Sequence, residues 1–597
     1  MTGVTLVAIK ASIFSQHPCL MSAIEKSAPD AVRKPTLRER FWPIESHEHK
    51  KLVPLILMMF LICFSYTLLR DLKDVMVLQI GTSESISYMK LGGVLPSSVI
   101  FMMIFTKLSI KNTKKFVFYS MLSIFMVVFG LILVLTFFGD HVHPEPGSLT
   151  KGVTGGLLPV LVLLEKWTVV PIYIFAEMYG TVCLSLLFWG FANDICTVNE
   201  ARRFYPLISL FANVALVILM FVMVGLNDFV KNSKDLFCQI SLVLVLVFGA
   251  MVAYIYNYMQ KNVLTDPVLY NPDLLKPKKK KAKMGMIQSL KFVLSSGYVA
   301  KIAVIVVAYG MVINFLEIYY KNVIGLYWLA SLVTAKGVES GLTGFMVIIL
   351  SLSIGSTAVK RFGWTKTALV TPLIIGGLGI PFLGIEWYYK QPLMEMGSLF
   401  GSFKGVDGRK SISATYKFIK DKPEIVKEMI ELKWLTESGE KIDGIKFPEK
   451  KQQTEQQKET MKKIADVIAD ELTGHESYSI VTPIYLFGFL AVVFAKSFKY
   501  SFFDPTKEMA YIPLDDEVRG KSKAAVDVVA ARFGKSGASG IFVLFNTIIN
   551  PNSLNYVYII LILFIIVFLS WMSSTVMLGR EFNRLNQKKN EVQMTKV

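Results

Sequence analysis

Charge is scarce in this chain. Asp, Glu, Lys and Arg make up 18% of its 597 residues, against about 25% in soluble domains. A soluble protein of this size divides into several cores separated by charged surface, so a soluble enzyme is excluded. Cysteine is scarce too. Cys19, Cys63, Cys183, Cys196 and Cys238 show no paired spacing and no C-x-x-C, which leaves them as small core residues and not disulfides or metal ligands. Catalytic signatures are also missing. Gly534-Lys535-Ser536 ends like a phosphate loop, but Val529 stands where the first glycine would have to be. His47-Glu48 and His141/His143 do not form H-E-x-x-H, and no G-x-S-x-G accompanies a strand pattern. These gaps exclude an ATP-hydrolysing motor and imply neither metal nor cofactor.

Apolar sequence is what the chain has in quantity. Hydrophobic residues reach 53%, aromatics 12%, and the mean hydropathy is +0.49. They gather in blocks of about 20 residues, the length that crosses a bilayer. The blocks predict spans at 52–70, 88–106, 115–137, 167–192, 205–226, 237–259, 298–319, 340–358, 367–386, 479–496, 524–548 and 555–578. The eleventh is the least apolar, because Asp527, Arg532 and Lys535 fall in its first half. The fold class expected is therefore an all-α membrane protein of twelve transmembrane helices in two six-helix halves, like the major-facilitator transporters.

Loop charge orients this arrangement. Lys and Arg total 64 and Asp and Glu 45, a net charge of +19. With twelve spans, every basic cluster lies on the side of the amino terminus: Arg33 to Lys51, Lys107 to Lys115, Arg202-Arg203, Lys276 to Lys283, Lys360 to Lys366, Lys496 to Lys523 and Arg580 to Lys589. Retention of Lys and Arg in the cytoplasm then places both termini there. The first 47 residues carry no secretory pattern and contain acids, which argues against a transit peptide. The expected organisation is a cytoplasmic segment 1–51, a first half 52–259, a basic linker 260–297, a second half 298–578 and a cytoplasmic tail 579–597. The run Lys276-Pro277-Lys278-Lys279-Lys280-Lys281 suits anionic lipid heads better than nucleic acid. A hydrophilic insert at 387–478 faces outward, and its stripe Met461, Ile464, Ile468 and Leu472 predicts a helix packed within a small external domain. No obligatory protein partner is implied.

Function is expected where polarity is hardest to tolerate, since an ionised residue at mid-membrane costs about 2.5–3.5 kcal/mol on insertion scales. Glu177 lies near the centre of the fourth span, serving either a cavity or a structural ion pair. Asn314, Glu317 and Lys321 share one helix face near the outer end of the seventh span, where Glu317 and Lys321 can pair with each other. Lys90 opens the second span and either snorkels or acts on a ligand. Asn213 sits mid-span, suited to a ligand or to gluing two helices.

The same places carry a resemblance. Leu69-Arg70-Asp71-Leu72-Lys73-Asp74, Tyr88-Met89-Lys90, Ala176-Glu177-Met178-Tyr179-Gly180, Leu187-Phe188-Trp189-Gly190, Arg203-Phe204-Tyr205-Pro206, Asn314-Phe315-Leu316-Glu317 and the run Lys499 to Leu514 (KYSFFDPTKEMAYIPL) resemble the ADP/ATP translocases of obligate intracellular bacteria and plastids. These are unrelated to the six-span mitochondrial carrier. The resemblance covers nearly the whole membrane region in order. It implies a carrier in the inner membrane of an obligate intracellular bacterium that exchanges ATP for ADP. Lys90, Glu177, Glu317 and Lys507 would match the family's transport charges, and Asn213 an asparagine near the nucleotide. Tyr179, Trp189 or Asn213 would contact the base, with Lys90 and Lys507 clamping phosphates from opposite halves. A proton-driven nucleotide symporter and an exchanger of NAD or another nucleotide remain open, because the same charges serve each. A membrane enzyme or receptor for a phosphorylated lipid would need a catalytic loop cluster that the sequence lacks.

Overall fold

The computed structural model describes residues 44–80, 84–145, 147–150, 153, 158–230, 234–270, 295–327, 332–355, 358–388, 423–432, 475–515, 518, 522–523, 526, 530–548 and 554–594. The basic run at 276–283, the stripe from Met461 to Leu472, Cys19 and most of the first 47 residues fall outside them. The chain separates into a short leading unit ending at Leu52 and a main unit, Val53–Val597. In the leading unit, Ser46–Glu48 forms one 3-10 turn in which the Glu45 N–H donates to Glu48 Oε2 at 3.0 Å.

Among the described residues every regular element is helical. The long helices are α1 His49–Ile80, α2 Ser85–Lys111, α3 Lys114–Phe137, α4 Val169–Ile195, α5 Val198–Val230 and α6 Lys234–Tyr258. They continue as α7 Gly297–Tyr327, α8 Leu332–Leu350, α9 Trp364–Tyr388, α10 Pro483–Ala510, α11 Ala531–Ile548 and α12 Leu554–Met594. All except α11 contain a stretch long and apolar enough to cross a membrane, eleven in all among the described residues. The protein is an all-α, multi-pass membrane protein. The helix α3 shows why its surface stays apolar. Phe118, Phe125 and Phe129 are buried while Val127, Leu131 and Phe137 are exposed, as expected where the outer face meets lipid instead of water. The four described cysteines, Cys63, Cys183, Cys196 and Cys238, are buried, and none of them is in a disulfide.

Several helices overrun their expected bounds, and three of them do so through charged turns. The first continues to Ile80 instead of ending at 70, α8 begins at Leu332 instead of 340, and α10 runs to Ala510 instead of 496. The added turns hold Arg70 to Asp74, Lys336 to Glu339, and Lys499 to Lys507. The 20-residue rule marks a helix end where charge begins. Here charged side chains pair inside the protein, so the backbone has no reason to stop.

Two seams join the helices before residue 270 to those after 295. Along one, α8 presents Gly337, Gly341 and Gly344 to α5. A Cβ at Gly341 would lie 2.4 Å from Met220 Cβ, and one at Gly344 would lie 2.8 Å from the Asn213 carbonyl oxygen. Small residues at this spacing let the backbones touch. Along the other, α11 packs against Glu84–Tyr88 and the π-helical turn Met89–Val94 of α2.

Candidate functional site

The helix α1 carries alternating signs at its centre, Arg70, Asp71, Lys73 and Asp74, and the i, i+3 spacing points the two carboxylates into the protein. Both are buried. Asp74 is shared by three lysines. Its Oδ1 accepts from Lys73 Nζ at 2.9 Å and from Lys321 Nζ at 2.9 Å, and its Oδ2 lies 3.4 Å from Lys336 Nζ. Lys73 also reaches Glu177 Oε1 at 3.0 Å, and its ammonium lies 4.3 Å from the Tyr173 ring centroid. Beside it, Ser340 Oγ donates to Asp71 Oδ2 at 2.6 Å and accepts from Arg70 Nη2 at 2.8 Å. The contacts to Lys321, Lys336 and Ser340 cross from α1 to α7 and α8.

A second group adjoins the first through Glu339. Its Oε2 accepts from Lys336 at 2.6 Å and its Oε1 from Lys496 at 2.8 Å. Lys496 Nζ also lies 3.1 Å from Glu317 Oε1. On the other side of Glu317, Oε2 is 3.9 Å from Lys90 Nζ, whose hydrogen bond goes to Asn314 Oδ1. The Asn314 amide donates in turn to the Lys535 carbonyl at 3.1 Å and to Ser539 Oγ at 3.0 Å. Lys90 thus bridges from α2 to α7, inside the π-helical turn Met89–Val94. Such wide turns free a side chain from the regular ladder and recur at functional sites.

The five bases Lys73, Lys90, Lys321, Lys336 and Lys496 and the four acids Asp74, Glu177, Glu317 and Glu339 form one continuous array, with the Arg70–Asp71 pair alongside it. Burial is uneven within it. The side chains of Lys336 and Glu339 are 1% exposed, whereas Glu317 is 21% and Glu177 28% exposed. The array therefore has a closed end at Asp74, Lys336 and Glu339, and a more open end at Lys90, Glu177 and Glu317. Breaking a buried pair by removing one partner costs about 3–5 kcal/mol, so its members hold one another in place. Among the described residues, no three His, Cys, Asp or Glu side chains converge as metal ligands.

The structure brings together Lys90, Glu177, Asn314, Glu317 and Lys321. The local pair expected between Glu317 and Lys321 is replaced: Glu317 meets Lys496 and Lys90, and Lys321 meets Asp74. One helical turn carries Lys321 past Glu317 toward α1, where a carboxylate shared with two other lysines draws it. Lys90 does not snorkel, because Asn314 and Glu317 meet it within the protein. Lys507 is not brought to this array. It lies on the same helix as Lys496 but eleven residues on, about 16 Å along the axis. There it pairs with Glu508 at 3.4 Å beside a small cavity lined by Ile302, Trp364 and Thr506.

The remaining candidates sit elsewhere. Asn213 Nδ2 donates to the Ser209 carbonyl at 2.8 Å, on the exposed part of the α5–α8 seam. Tyr179 is fully buried among Phe125 and Phe129, with ring centroids 5.4 and 6.4 Å away. Trp189 packs edge-on to Tyr205 at 5.0 Å, and Tyr205 donates to Asn193 Oδ1 at 2.8 Å. Lys73, Asp74, Lys336, Glu339 and Lys496 belong to the array, and Arg70 and Asp71 lie beside it, although none was named as a site residue; the four on α1 only carried the resemblance. The available signal was the i, i+3 spacing of like charges in α1 and of Lys336 with Glu339.

Outside the spans, Glu165 closes the helix Leu158–Glu165. Its Oε1 accepts the N–H groups of Leu149 at 2.9 Å and Thr150 at 3.0 Å, and the Thr150 hydroxyl at 3.0 Å. Burial pushes this carboxyl up, but donors from Leu149, Gly147 and Thr150 outweigh it and hold the group below the usual carboxylate range.

Comparison with known proteins gives the family. The chain matches the TLC ATP/ADP transporter family over residues 29–406 and 460–582. It is 33% identical to ADP,ATP carrier protein 1 of Chlamydia muridarum over 519 residues, 84% of this chain and 83% of that one. It is 34% identical to ADP,ATP carrier protein 1 of Rickettsia typhi, covering 85% and 89%. With ADP,ATP carrier protein 3 of Rickettsia bellii the identity is 27%, covering 92% and 98%. A solved bacterial homologue of the iron transporter ferroportin, inward-facing, aligns over 90% of this chain and 98% of its own at 10% identity and a TM-score of 0.44, too loose a likeness to fix the helix arrangement. The chain belongs to the TLC ATP/ADP transporter family, whose members are carriers and not enzymes.

Proposed function

We propose that this family member is an ATP/ADP antiporter in the inner membrane of an intracellular bacterium, importing ATP and returning ADP by alternating access. Residues 52–259 and 298–578 form its two six-helix halves, twelve spans arranged like a major-facilitator transporter, with both termini in the cytoplasm. The observation that carries this assignment is a buried ionic array that links α1 and α2 to α7 and α8, in a chain of a nucleotide-transporter family. No covalent bond is made or broken by such a protein.

A nucleoside polyphosphate brings about three or four negative charges into a region without bulk water, and fixed cations must replace their hydration. Lys90 is the base held most loosely, 3.9 Å from its carboxylate and otherwise bound to a neutral amide. Phosphate entering at the open end takes Lys90 from Glu317, while Lys496 keeps Glu317 neutralised. Glu177 holds Lys73 in the same way. Asn213, beside the α5–α8 seam, is the amide assigned to the base. With the termini inside, the pairs Asp74–Lys321 and Asp74–Lys336 and the Arg70–Ser340 bond fall toward the outer ends of α1, α7 and α8. They act as the outer gate. Opening it without ligand strands buried charges, and this cost makes the carrier exchange instead of leak.

Proteoliposomes filled with ADP test the assignment. ATP uptake that needs internal ADP and ignores a pH gradient is expected. Uptake into empty vesicles that needs acid outside would show a proton symporter instead, and a requirement for NAD would show a different nucleotide.

A further inference from the structure

The helices α3 and α6 contribute nothing to the ionic array, yet their paired ends carry a concentration of charge. Phe118 stacks on Tyr256 with ring centroids 3.7 Å apart, and Tyr119 meets the same ring edge-on at 5.5 Å. Further along the pair, Met126 lies against Gly249. The two helices therefore run antiparallel, and both continue from the aromatic contact to one rim, where α3 begins and α6 finishes. Lys115 stands four residues before Tyr119 and shares its face. Lys261 follows Tyr256 by five residues, in the π-helical turn Met259–Val263 that ends α6. Lys111 closes α2 just ahead of α3, whose start is capped by the Thr113 hydroxyl accepting the Phe116 N–H at 3.3 Å.

Lys111, Lys115 and Lys261 are exposed, and none is in an ion pair among the described residues. Their neighbour Lys114 differs, because Asp194 Oδ2 holds it at 2.9 Å. The sequence supplies no further compensation: no acid occurs from Ser85 to Gly139 or from Leu236 to Thr265. The side chains around this rim face lipid and not a transport cavity. On α6, Val243, Val247, Met251, Tyr254 and Tyr258 recur every three or four residues and are all exposed, which makes one outward stripe. The stripe turns from aliphatic to tyrosine at the rim, where Tyr254 is 72% exposed. On α3, Phe116 is 51% exposed at the same end. Tyrosine at the end of an apolar stripe marks the headgroup level of a bilayer.

We infer that this rim binds one anionic phospholipid, its phosphate seated on Lys115 and Lys261 with Lys111 alongside. The glycerol backbone and chains lie along Tyr254, Tyr258 and Phe116. Charge selects the headgroup. A zwitterionic lipid brings a cation of its own, which three ammonium groups repel, whereas an anionic lipid neutralises them. Lysine stems reach a phosphate at this depth while their methylenes stay in the apolar layer, and basic pockets between membrane helices recognise lipid phosphates in this way. A lipid held there clamps α3 to α6 without entering the transport path. The inference is independent of the nucleotide exchange proposed above.

The purified full-length carrier in nanodiscs of phosphatidylcholine, with and without phosphatidylglycerol, tests this. Phosphatidylglycerol should raise the melting temperature of the wild type, and native mass spectrometry should find it retained. Lys115→Gln/Lys261→Gln should bind it at least about tenfold more weakly, as two lysines near an anionic surface imply, and lose the melting shift. In phosphatidylcholine alone its melting should match the wild type, and Lys115→Arg/Lys261→Arg should keep the lipid. Arg361→Gln/Lys366→Gln removes as much charge from exposed residues beside the start of α9 and should retain the lipid as the wild type does. Equal loss in the two Gln pairs would reduce the effect to a general attraction of basic loops and overturn the inference. Undiminished retention in Lys115→Gln/Lys261→Gln would overturn it too. So would an equal shift from inorganic phosphate that depends on Lys115 and Lys261, since the occupant would then be a free anion. Should the double Gln variant melt early in phosphatidylcholine, Lys261→Gln alone decides: a fall in retained lipid supports the site, and an unchanged value overturns it.

Discussion

Asp74 and Lys321, 247 residues apart in sequence, meet at 2.9 Å in a place where neither can reach water. Lys73 and Lys336 share the same carboxylate, so one anion from α1 ties three cations on three helices. A single contact of this kind couples α1 to α7 and α8 more tightly than apolar packing alone, because in a membrane apolar surfaces gain little by leaving lipid.

Asp74→Asn removes that anion and leaves three buried ammonium groups with less compensation. We expect a loss of about 3–5 kcal/mol in the cohesion of α1, α7 and α8, read as a lower melting temperature and at least about tenfold slower ATP uptake. Adding Lys321→Gln to Asp74→Asn should recover part of the melting temperature, since one stranded charge is removed. A double variant that melts lower still would show that Asp74 does not act through Lys321.

Lys321→Ala is expected to be as damaging as Lys90→Ala, because the partner of Lys321 lies across the gate and not one turn away. Lys507→Ala should be much milder. The Glu508 side chain it pairs with is 44% exposed, and pairs of that kind contribute about 0–1 kcal/mol. Initial rates of ATP uptake in the three variants, at equal membrane content, check this order. Equal loss in all three would return Lys507 to the phosphate clamp.

Much of this was legible in the sequence. The apolar blocks located eleven of the long helices, and Lys90, Glu177, Asn314 and Glu317 stood out as polar residues inside them. Arg70 to Asp74, Lys336, Glu339 and Lys496 did not, for one physical reason. A hydropathy block ends where charge begins, yet these charges end no helix, because they pair inside the protein, partly with neighbours on the same helix and partly with residues on distant ones. The partner of Lys321 was misjudged similarly: local spacing favoured Glu317, and only the packing of α1 against α7 presents Asp74.

The α5–α8 seam sets a steric prediction. Gly344→Val adds a Cβ 2.8 Å from both the Asn213 carbonyl oxygen and Leu216 Cβ, and overpacking of this kind costs about 1–3 kcal/mol. Slower exchange is expected, with weaker binding of adenosine and ATP alike, since the added methyls crowd Asn213 at the base while the ionic array is untouched. Unchanged exchange and unchanged adenosine affinity would show that the seam neither moves nor lies beside the base.

Glu165 gives a pH signature outside the membrane. Its carboxyl titrates lower in the folded protein than in the unfolded chain, so the stability it contributes is fully present above the unfolded value and disappears as pH falls through the folded one. Hydrogen exchange at Leu149 and Thr150 should therefore stay slow at neutral pH, after correction for intrinsic rates, and rise only in acid. Glu165→Gln should raise it at neutral pH. Protection that is insensitive to both changes would show that Glu165 does not hold this loop.

The exchange of ion-pair partners at Lys90 is tested most directly by an experimental structure of the carrier with ADP bound. The account predicts a phosphate oxygen within hydrogen-bond reach of Lys90 Nζ, with Glu317 moved beyond ion-pair distance from Lys90 and still held by Lys496. A nucleotide bound elsewhere, with Lys90 still on Asn314 and Glu317, would contradict it.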